Sequence, residues 1–369
     1  MSFIHSCSSS HGVCMSFTKE LFDPSFENCV VNIVVGPDEM SSPKVAIFYN
    51  NAEIVDVIKQ QLPDADIQIF ANPPTEEQVE SLSQVQIIFG SPRNLPEVIP
   101  RCTNLKWIQS GAAGVDKIMK SVTDDKANKN IIVTRNGETF AKPLSEHIMS
   151  QILTTNKGHY KWYDQQKAAV YERGSLNSKP LSLSSVGILG LGCIGRETAR
   201  TCKFFGMKVW GMTRTEVPED KKSPYVDEYR TLNSLHEILS ECDYVVNILP
   251  STEQTRGLLS GDTFSYCKDK KTTFINVGRG DVTDEGSILT ALRNKWLQYA
   301  ALDVHNPEPL PESSPLWNEP GVIITPHISG GLILYPGYLR DRAEMFVKQY
   351  RRYINNEPLE YVVDFERGY

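Results

Sequence analysis

The stretch Val186-Gly187-Ile188-Leu189-Gly190-Leu191-Gly192-Cys193-Ile194-Gly195-Arg196 constrains this chain more than any other. An apolar run reads as a strand, and G-x-G-x-x-G follows it at the entry to a helix. Gly190 permits the tight turn, Gly192 lets the backbone approach a pyrophosphate, and Gly195 lets helix and strand pack closely. Cys193 and Ile194 fall in the first helical turn, where N–H groups and the positive helix end face an anion. A strand before the glycines and a helix after them predict dinucleotide binding. The bland alternative is a structural glycine turn.

Strand and helix alternate on both sides of this motif, which argues for parallel α/β sheets. Candidate strands on the N-terminal side are Val45–Tyr49, Ile67–Phe70, Val85–Phe89, Trp107–Gln109 and Ile131–Thr134, with helices such as Ala52–Gln61 between them. The run Val30–Val35 offers one strand more. Pro143 opens a helix whose apolar face carries Leu144, Ile148 and Ile152 and which extends to Lys157. A second alternation gives strands at Val186–Leu189, Lys208–Trp210, Tyr244–Leu249, Thr273–Val277, Tyr299–Val304 and Val322–Ile324. The segment Tyr338–Asn356 reads as a closing helix that returns to the first sheet. The expected architecture is α/β with two Rossmann-like domains. An inner, doubly wound parallel sheet over residues 151–334 takes the dinucleotide. A discontinuous flavodoxin-like domain, residues 41–150 and 335–369, takes the substrate, and residues 1–40 form an N-terminal extension.

Composition removes other classes. A length of 369 residues suits about two domains of roughly 150 residues. The net charge of −7, without a long basic run, excludes an electrostatic grip on nucleic acid. No stretch approaches the roughly 18 apolar residues that a membrane helix needs. The 8 cysteines form no C-x-x-C pair and read as reduced thiols of an intracellular, cytoplasmic protein. The Ser-rich segment from Met1 to Lys19 lacks Arg and a long apolar core, so it fits neither a secretory nor a mitochondrial signal. His5, Cys7, His11 and Cys14 match no common metal spacing, so no metal is expected.

The second strand of the inner sheet decides which dinucleotide is expected. An acidic residue about 20 positions beyond the glycines would accept the ribose hydroxyls of NAD. Thr213 stands there, and a hydroxyl does not repel a 2′-phosphate. Arg214 beside it can pair with that phosphate. The expectation is NADP(H) in preference to NAD(H), with NAD(H) still possible; the bland reading makes Arg214 a solvated surface charge.

Three segments then fall at predicted strand ends: Ile275-Asn276-Val277-Gly278-Arg279-Gly280, Ala301-Leu302-Asp303-Val304-His305-Asn306-Pro307-Glu308-Pro309-Leu310, and Thr325-Pro326-His327-Ile328-Ser329-Gly330. Residues there project into the crevice where open α/β sheets bind ligands. An Arg can grip a carboxylate and polarise a neighbouring carbonyl. A His can pass a proton, and a Glu can hold the imidazole. Singly, each has a plain reading as surface ion pair, solvated acid or core histidine; their joint placement after a dinucleotide motif favours chemistry.

With these segments the chain resembles the D-isomer-specific 2-hydroxyacid dehydrogenase family over nearly all of residues 45–355, and within it the glyoxylate/hydroxypyruvate reductase-like branch. The likeness includes the glycine motif, Leu249-Pro250-Ser251-Thr252 with Thr255 after it, Val277-Gly278-Arg279-Gly280, the Asp303 to Leu310 segment and Thr325-Pro326-His327. It implies a catalytic set of Arg279, Glu308 and His327. It also implies a cofactor lined by Gly190, Gly192, Cys193, Ile194, Gly195, Thr213, Arg214, Leu249, Pro250, Thr255, Val277, Gly278, Arg279, Asp303 and His327, with Asp303 on the nicotinamide carboxamide. The loop Gln109-Ser110-Gly111-Ala112-Ala113-Gly114-Val115-Asp116 resembles the family's substrate loop. There the amides of Ala113 and Gly114, with Arg279, would hold a substrate carboxylate.

The resemblance implies reduction of a small 2-oxo acid to a D-2-hydroxy acid, or the reverse, in a homodimer without nucleic acid or membrane partners. In that chemistry His327 is the general acid/base, assisted by Glu308, and Arg279 binds the carboxylate and carbonyl. Two departures stand out. His305 replaces a more usual aromatic residue, and Ser329-Gly330-Gly331 follows His327 in place of a bulky aromatic. His147, His159 and His236 lie on or near helices and take structural roles. Glu308 argues against formate dehydrogenase, where glutamine is usual. Two other readings stay open: a phosphoglycerate dehydrogenase, and a non-enzymatic, nucleotide-sensing corepressor of the same fold.

Overall fold

A computed structural model describes residues 13–15, 33–35, 42–124, 130–173, 178–330 and 336–369. The chain divides into two compact units, Met1–Thr139 with Ile333–Tyr369, and Phe140–Leu332.

In the first unit, strands β1 (Val13–Met15) and β2 (Ile33–Val35) pair antiparallel. The strand expected over 30–35 is thus described at 33–35. The remainder of the N-terminal extension, with the side chains of His5, Cys7, His11 and Cys14, lies outside the described residues. Then follow β3 (Val45–Phe48), α1 (Ala52–Gln61), β4 (Ile67–Ile69), α2 (Glu76–Ser81), β5 (Ile87–Gly90), β6 (Trp107–Ser110), α3 (Asp116–Asp124) and β7 (Ile132–Thr134). The five strands β3 to β7 form a parallel sheet in the order β4-β3-β5-β6-β7, the flavodoxin-like order. Asn51 caps α1 by accepting from the amides of Glu53 and Ile54, leaving Ile54 and Ile58 to the core.

The second unit begins with α4 (Ala141–Lys157) and α5 (His159–Lys167). Its sheet elements are β8 (Ser185–Leu189), α6 (Cys193–Phe204), β9 (Lys208–Met212), β10 (Glu228–Arg230), α7 (Leu235–Glu241), β11 (Tyr244–Asn247), β12 (Thr272–Asn276), α8 (Glu285–Arg293), β13 (Leu297–Leu302) and β14 (Val322–Ile324). The seven strands are all parallel, in the order β10-β9-β8-β11-β12-β13-β14. This is the dinucleotide-fold order with one strand added. Helices cover both faces: a Cβ on Gly187 would strike Ile238 of α7, whereas Ile188 faces Gly195 of α6. Both sheets are therefore Rossmann-like α/β, as the alternation of short apolar runs predicts.

The last helix, α9 (Pro336–Ile354), belongs to the first unit. Leu339, Ala343, Phe346, Val347 and Tyr350 join the core of Val45, Ile47, Ile87, Phe89 and Trp107. Phe346 stacks on Phe89 at 4.7 Å between ring centres and on Trp107 at 5.8 Å. The unit boundary falls at 139/140, where the sequence reading set it at 150/151. The difference arises because α4 is one helix packed on α6: the Ser145 hydroxyl bonds that of Thr201 at 2.8 Å. The apolar face Leu144, Ile148, Ile152 shows that α4 is buried without showing against what. Among the described residues no helix is long and apolar enough to cross a membrane, and no group of His, Cys, Asp and Glu is placed to hold a metal. Cys102, Cys193, Cys202, Cys242 and Cys267 are in no disulfide, and burial pushes the thiols of Cys102 and Cys202 up to about 12.

Candidate active site

The glycine turn sits between the end of β8 and the start of α6, beside the switch point where β8 meets β11. Gly190 has a φ of 105°, a conformation side chains oppose. A Cβ on Gly195 would lie 2.0 Å from the carbonyl oxygen of Gly190. Gly192 is the N-cap of α6 and has no side chain to occupy that end; Cys193 and Ile194 open the first turn. The cradle therefore leaves helical N–H groups and open backbone where a pyrophosphate would need them, and these residues fit the group. Thr213 follows β9; its amide donates to the Arg230 carbonyl at 2.9 Å and its hydroxyl to the Thr215 carbonyl at 2.7 Å. Arg214 is exposed, and no carboxylate among the described residues pairs with it.

Two asparagines unite the loops beyond the centre of this sheet. Asn247 ends β11 and Asn276 ends β12, and both are buried. The Asn247 amide donates to Asn276 Oδ1 at 2.9 Å. Asn247 Oδ1 accepts from the Leu249 N–H at 3.2 Å, and Asn276 Oδ1 from the Gly278 N–H at 3.2 Å. Asn276 Nδ2 donates to the Arg279 carbonyl at 3.0 Å. This pair fixes Leu249 and Pro250 on one side and Val277, Gly278 and Arg279 on the other. Thr255 closes the first loop by donating to the Pro250 carbonyl at 2.6 Å. Arg279 is half-buried, and its Nη1 donates to the Gly278 carbonyl at 2.8 Å. The sequence reading did not single out these asparagines, although a polar residue closing each of two buried apolar strands was a visible signal.

Asp303 and His327 follow the next two strands, β13 and β14. His327 Nδ1 meets Glu308 Oε1 at 2.6 Å. Asp303 is 1% exposed. Burial pushes its carboxyl up, but hydrogen bonds from Ser329, Thr325 and Ile328 outweigh it and hold the group below the usual carboxylate range. His305 stays apart from the Glu308 pair; its Nε2 lies 3.4 Å from the Thr325 carbonyl oxygen. His147 on α4 is held below the usual imidazole range by burial, opposed by the charge of Asp303. His236 packs its ring near Tyr266, and His159 starts α5.

In the first unit, residues 111–115 join β6 to α3. The Ser110 hydroxyl donates to the Ala112 carbonyl at 3.0 Å and accepts from its amide at 3.1 Å. The Asn136 amide donates to the Ala112 carbonyl at 3.1 Å. The amides of Ala113 and Gly114 have no protein acceptor among the described residues. A fixed turn with two open donors is suited to an anion.

A doubly wound sheet with a glycine cradle, an Arg-bearing loop and a His–Glu pair at successive strand ends defines a dinucleotide-dependent dehydrogenase class. Residues 149–329 match the model of the D-isomer specific 2-hydroxyacid dehydrogenase NAD binding domain. A D-isomer specific 2-hydroxyacid dehydrogenase family protein from Aeromonas salmonicida is 31% identical, with a TM-score of 0.76, over 88% of this chain and 100% of that one. The chain belongs to the D-isomer-specific 2-hydroxyacid dehydrogenase family. Within it the chain is similar to glyoxylate/hydroxypyruvate reductase A of Salmonella enteritidis, at 28% identity over 88% of this chain and 99% of the relative. It also resembles the NADPH-dependent glyoxylate/hydroxypyruvate reductase of Sinorhizobium meliloti, solved with NADP and sulfate. That protein is 26% identical, with a TM-score of 0.76, over 89% of this chain and 100% of that one.

Proposed function

We propose that the protein is an NADPH-preferring reductase of small 2-oxo acids, forming D-2-hydroxy acids, and that it also runs in reverse. The observation that carries this reading is the 2.6 Å bond between His327 and Glu308, two strands along from the Arg279 loop. The nicotinamide, when bound, supplies the hydride that reduces the substrate C2. The cradle of Gly190, Gly192, Cys193, Ile194 and Gly195 holds the pyrophosphate. Leu249, Pro250, Thr255, Val277 and Gly278 line the remainder of the cofactor. Arg279 binds the substrate carboxylate and polarises its carbonyl. In the substrate domain, the amides of Ala113 and Gly114 are the donors open to a carboxylate. With Nδ1 bound to Glu308, His327 keeps Nε2 for the proton that the new alkoxide takes. Product oxidation uses the same nitrogen as the base. Turnover near the enzymatic range of about 1–10³ per second on at least one 2-oxo acid, followed at 340 nm, tests the reading. Rates near one per minute on every acid, with either cofactor, would point to a binding role instead.

Thr213 and Arg214 support the choice of cofactor, as do the NADP and NADPH complexes of the relatives from Rhizobium etli and Xanthobacter autotrophicus. Arg214→Ala is expected to lower kcat/KM for NADPH by about tenfold or more while changing that for NADH little, as loss of one charge-assisted pair to a phosphate requires. Equal efficiency with both dinucleotides in the wild type would remove the argument. The homodimer belongs to the same reading. Sedimentation of the purified chain measures it.

A further inference from the structure

The backbone of His327 is left-handed, with a φ of 54°. Side-chain residues adopt that conformation rarely, and it persists where the surroundings over-determine it. Asp303 gathers most of the bonds that hold the turn, beside the Thr325 carbonyl, which accepts the His327 N–H at 3.1 Å. The Asp303 carbonyl accepts the His327 N–H at 2.9 Å. Asp303 Oδ1 accepts the Thr325 hydroxyl at 2.6 Å and the Ile328 N–H at 2.9 Å. Asp303 Oδ2 accepts the Ser329 N–H at 2.9 Å. Three consecutive amides and a hydroxyl of the turn thus converge on a residue that is almost wholly buried. Successive N–H groups around a left-handed residue form a concavity for an anion; here the anion is the chain's own carboxylate. Gly330, next in the chain, lies against the start of α4: a Cβ there would be 3.0 Å from the ring of its N-cap residue Phe140 and 3.9 Å from Leu144 Cδ1.

We propose that Asp303 is the positioning residue for His327. Its carboxylate organises the 325–329 turn that presents the imidazole, and this contributes more to turnover than any contact with the nicotinamide carboxamide. The proposal rests on the reading of His327 as the acid/base. Asp303→Asn keeps the shape but sets an NH2 group against a donor of the turn. It is expected to lower kcat about 10²-fold, the scale of a small misplacement of a reacting group, with NADPH affinity changed by no more than about twofold. The fall is expected to be the same with NADPH and with its 3-acetylpyridine analogue, whose methyl ketone lacks the amide NH2. In the cofactor-free protein, hydrogen-exchange protection of the Ile328 and Ser329 amides is expected to drop, and this readout needs no turnover. Thr325→Val removes one of the bonds and should give a smaller loss of the same kind, restored in Thr325→Ser; this pair carries the test should Asp303→Asn fail to fold. A loss of NADPH affinity matching the loss of kcat, a defect that vanishes with the analogue, or unchanged protection at Ile328 and Ser329 would overturn the proposal. A wild type inactive on every 2-oxo acid would instead sink the functional reading, with the exchange result still reporting on the turn.

Discussion

His327→Gln is expected to lower kcat by about 10²–10⁴-fold, the usual contribution of a positioned general acid, while NADPH affinity stays within about twofold, because the glycine cradle is a separate part of the sheet edge. Glutamine can still donate to Glu308 and fill the volume of the ring, but its amide cannot deliver a proton at neutral pH. The geometry makes the imidazole specific for that task. Nδ1 is held by Glu308 at 2.6 Å, so the ring presents Nε2 in one orientation. Steady-state kinetics with the best 2-oxo acid, and fluorescence titration of NADPH, separate the two effects. A variant that turns over at a near-normal rate would strip His327 of its role and would move attention to His305 as the other imidazole near the same strand ends.

What the sequence revealed, and what it concealed, follows from the range of each physical signal. Buried parallel strands are continuous apolar runs, so β3, β8, β11 and β12 were visible. The order of the strands was not, because in each sheet the chain crosses back over the first strand, from β4 to β5 and from β10 to β11, and no local pattern marks where that reversal falls. Strand β10, Glu228–Arg230, was not visible, because this edge strand has no apolar run. Its Arg230 lies over the Trp210 ring at 4.6 Å and pairs with Glu237 at 2.7 Å, contacts that no local pattern announces. Helix α5, His159–Lys167, buries no residue, so periodicity could not find it. In the site, Arg279, Glu308 and His327 were readable as residue types at strand ends. The left-handed backbone of His327 and the convergence of its turn on Asp303 were not, because they depend on a loop closing back across 22 to 26 positions of sequence.

Gly195→Val should be the most damaging single substitution in the cofactor cradle. A Cβ there would meet the Gly190 oxygen at 2.0 Å, the Gly190 carbonyl carbon at 3.0 Å and Ile188 Cγ2 at 3.4 Å. The first two are backbone atoms and cannot rotate away. Nor can that backbone retreat, since β8 is paired on both sides and the Gly190 N–H is bonded to the Met212 carbonyl at 3.2 Å. Relief can come only by lifting α6 from the sheet. That lift separates the first-turn amides from the turn they share and loosens the contact of α6 with α4. Overpacking of this kind costs about 1–3 kcal/mol or more, so the expected result is a Tm lower by several degrees and an NADPH Kd raised by about tenfold or more. Gly195→Ala should show the same direction at smaller size, because the first added atom already causes the clash. Calorimetry on both variants, with dinucleotide titration at a temperature where each remains folded, separates lost stability from a damaged cradle. Wild-type Tm together with wild-type affinity in Gly195→Val would mean that helix and strand do not meet at this glycine, and the cradle would have to be sought elsewhere on the sheet.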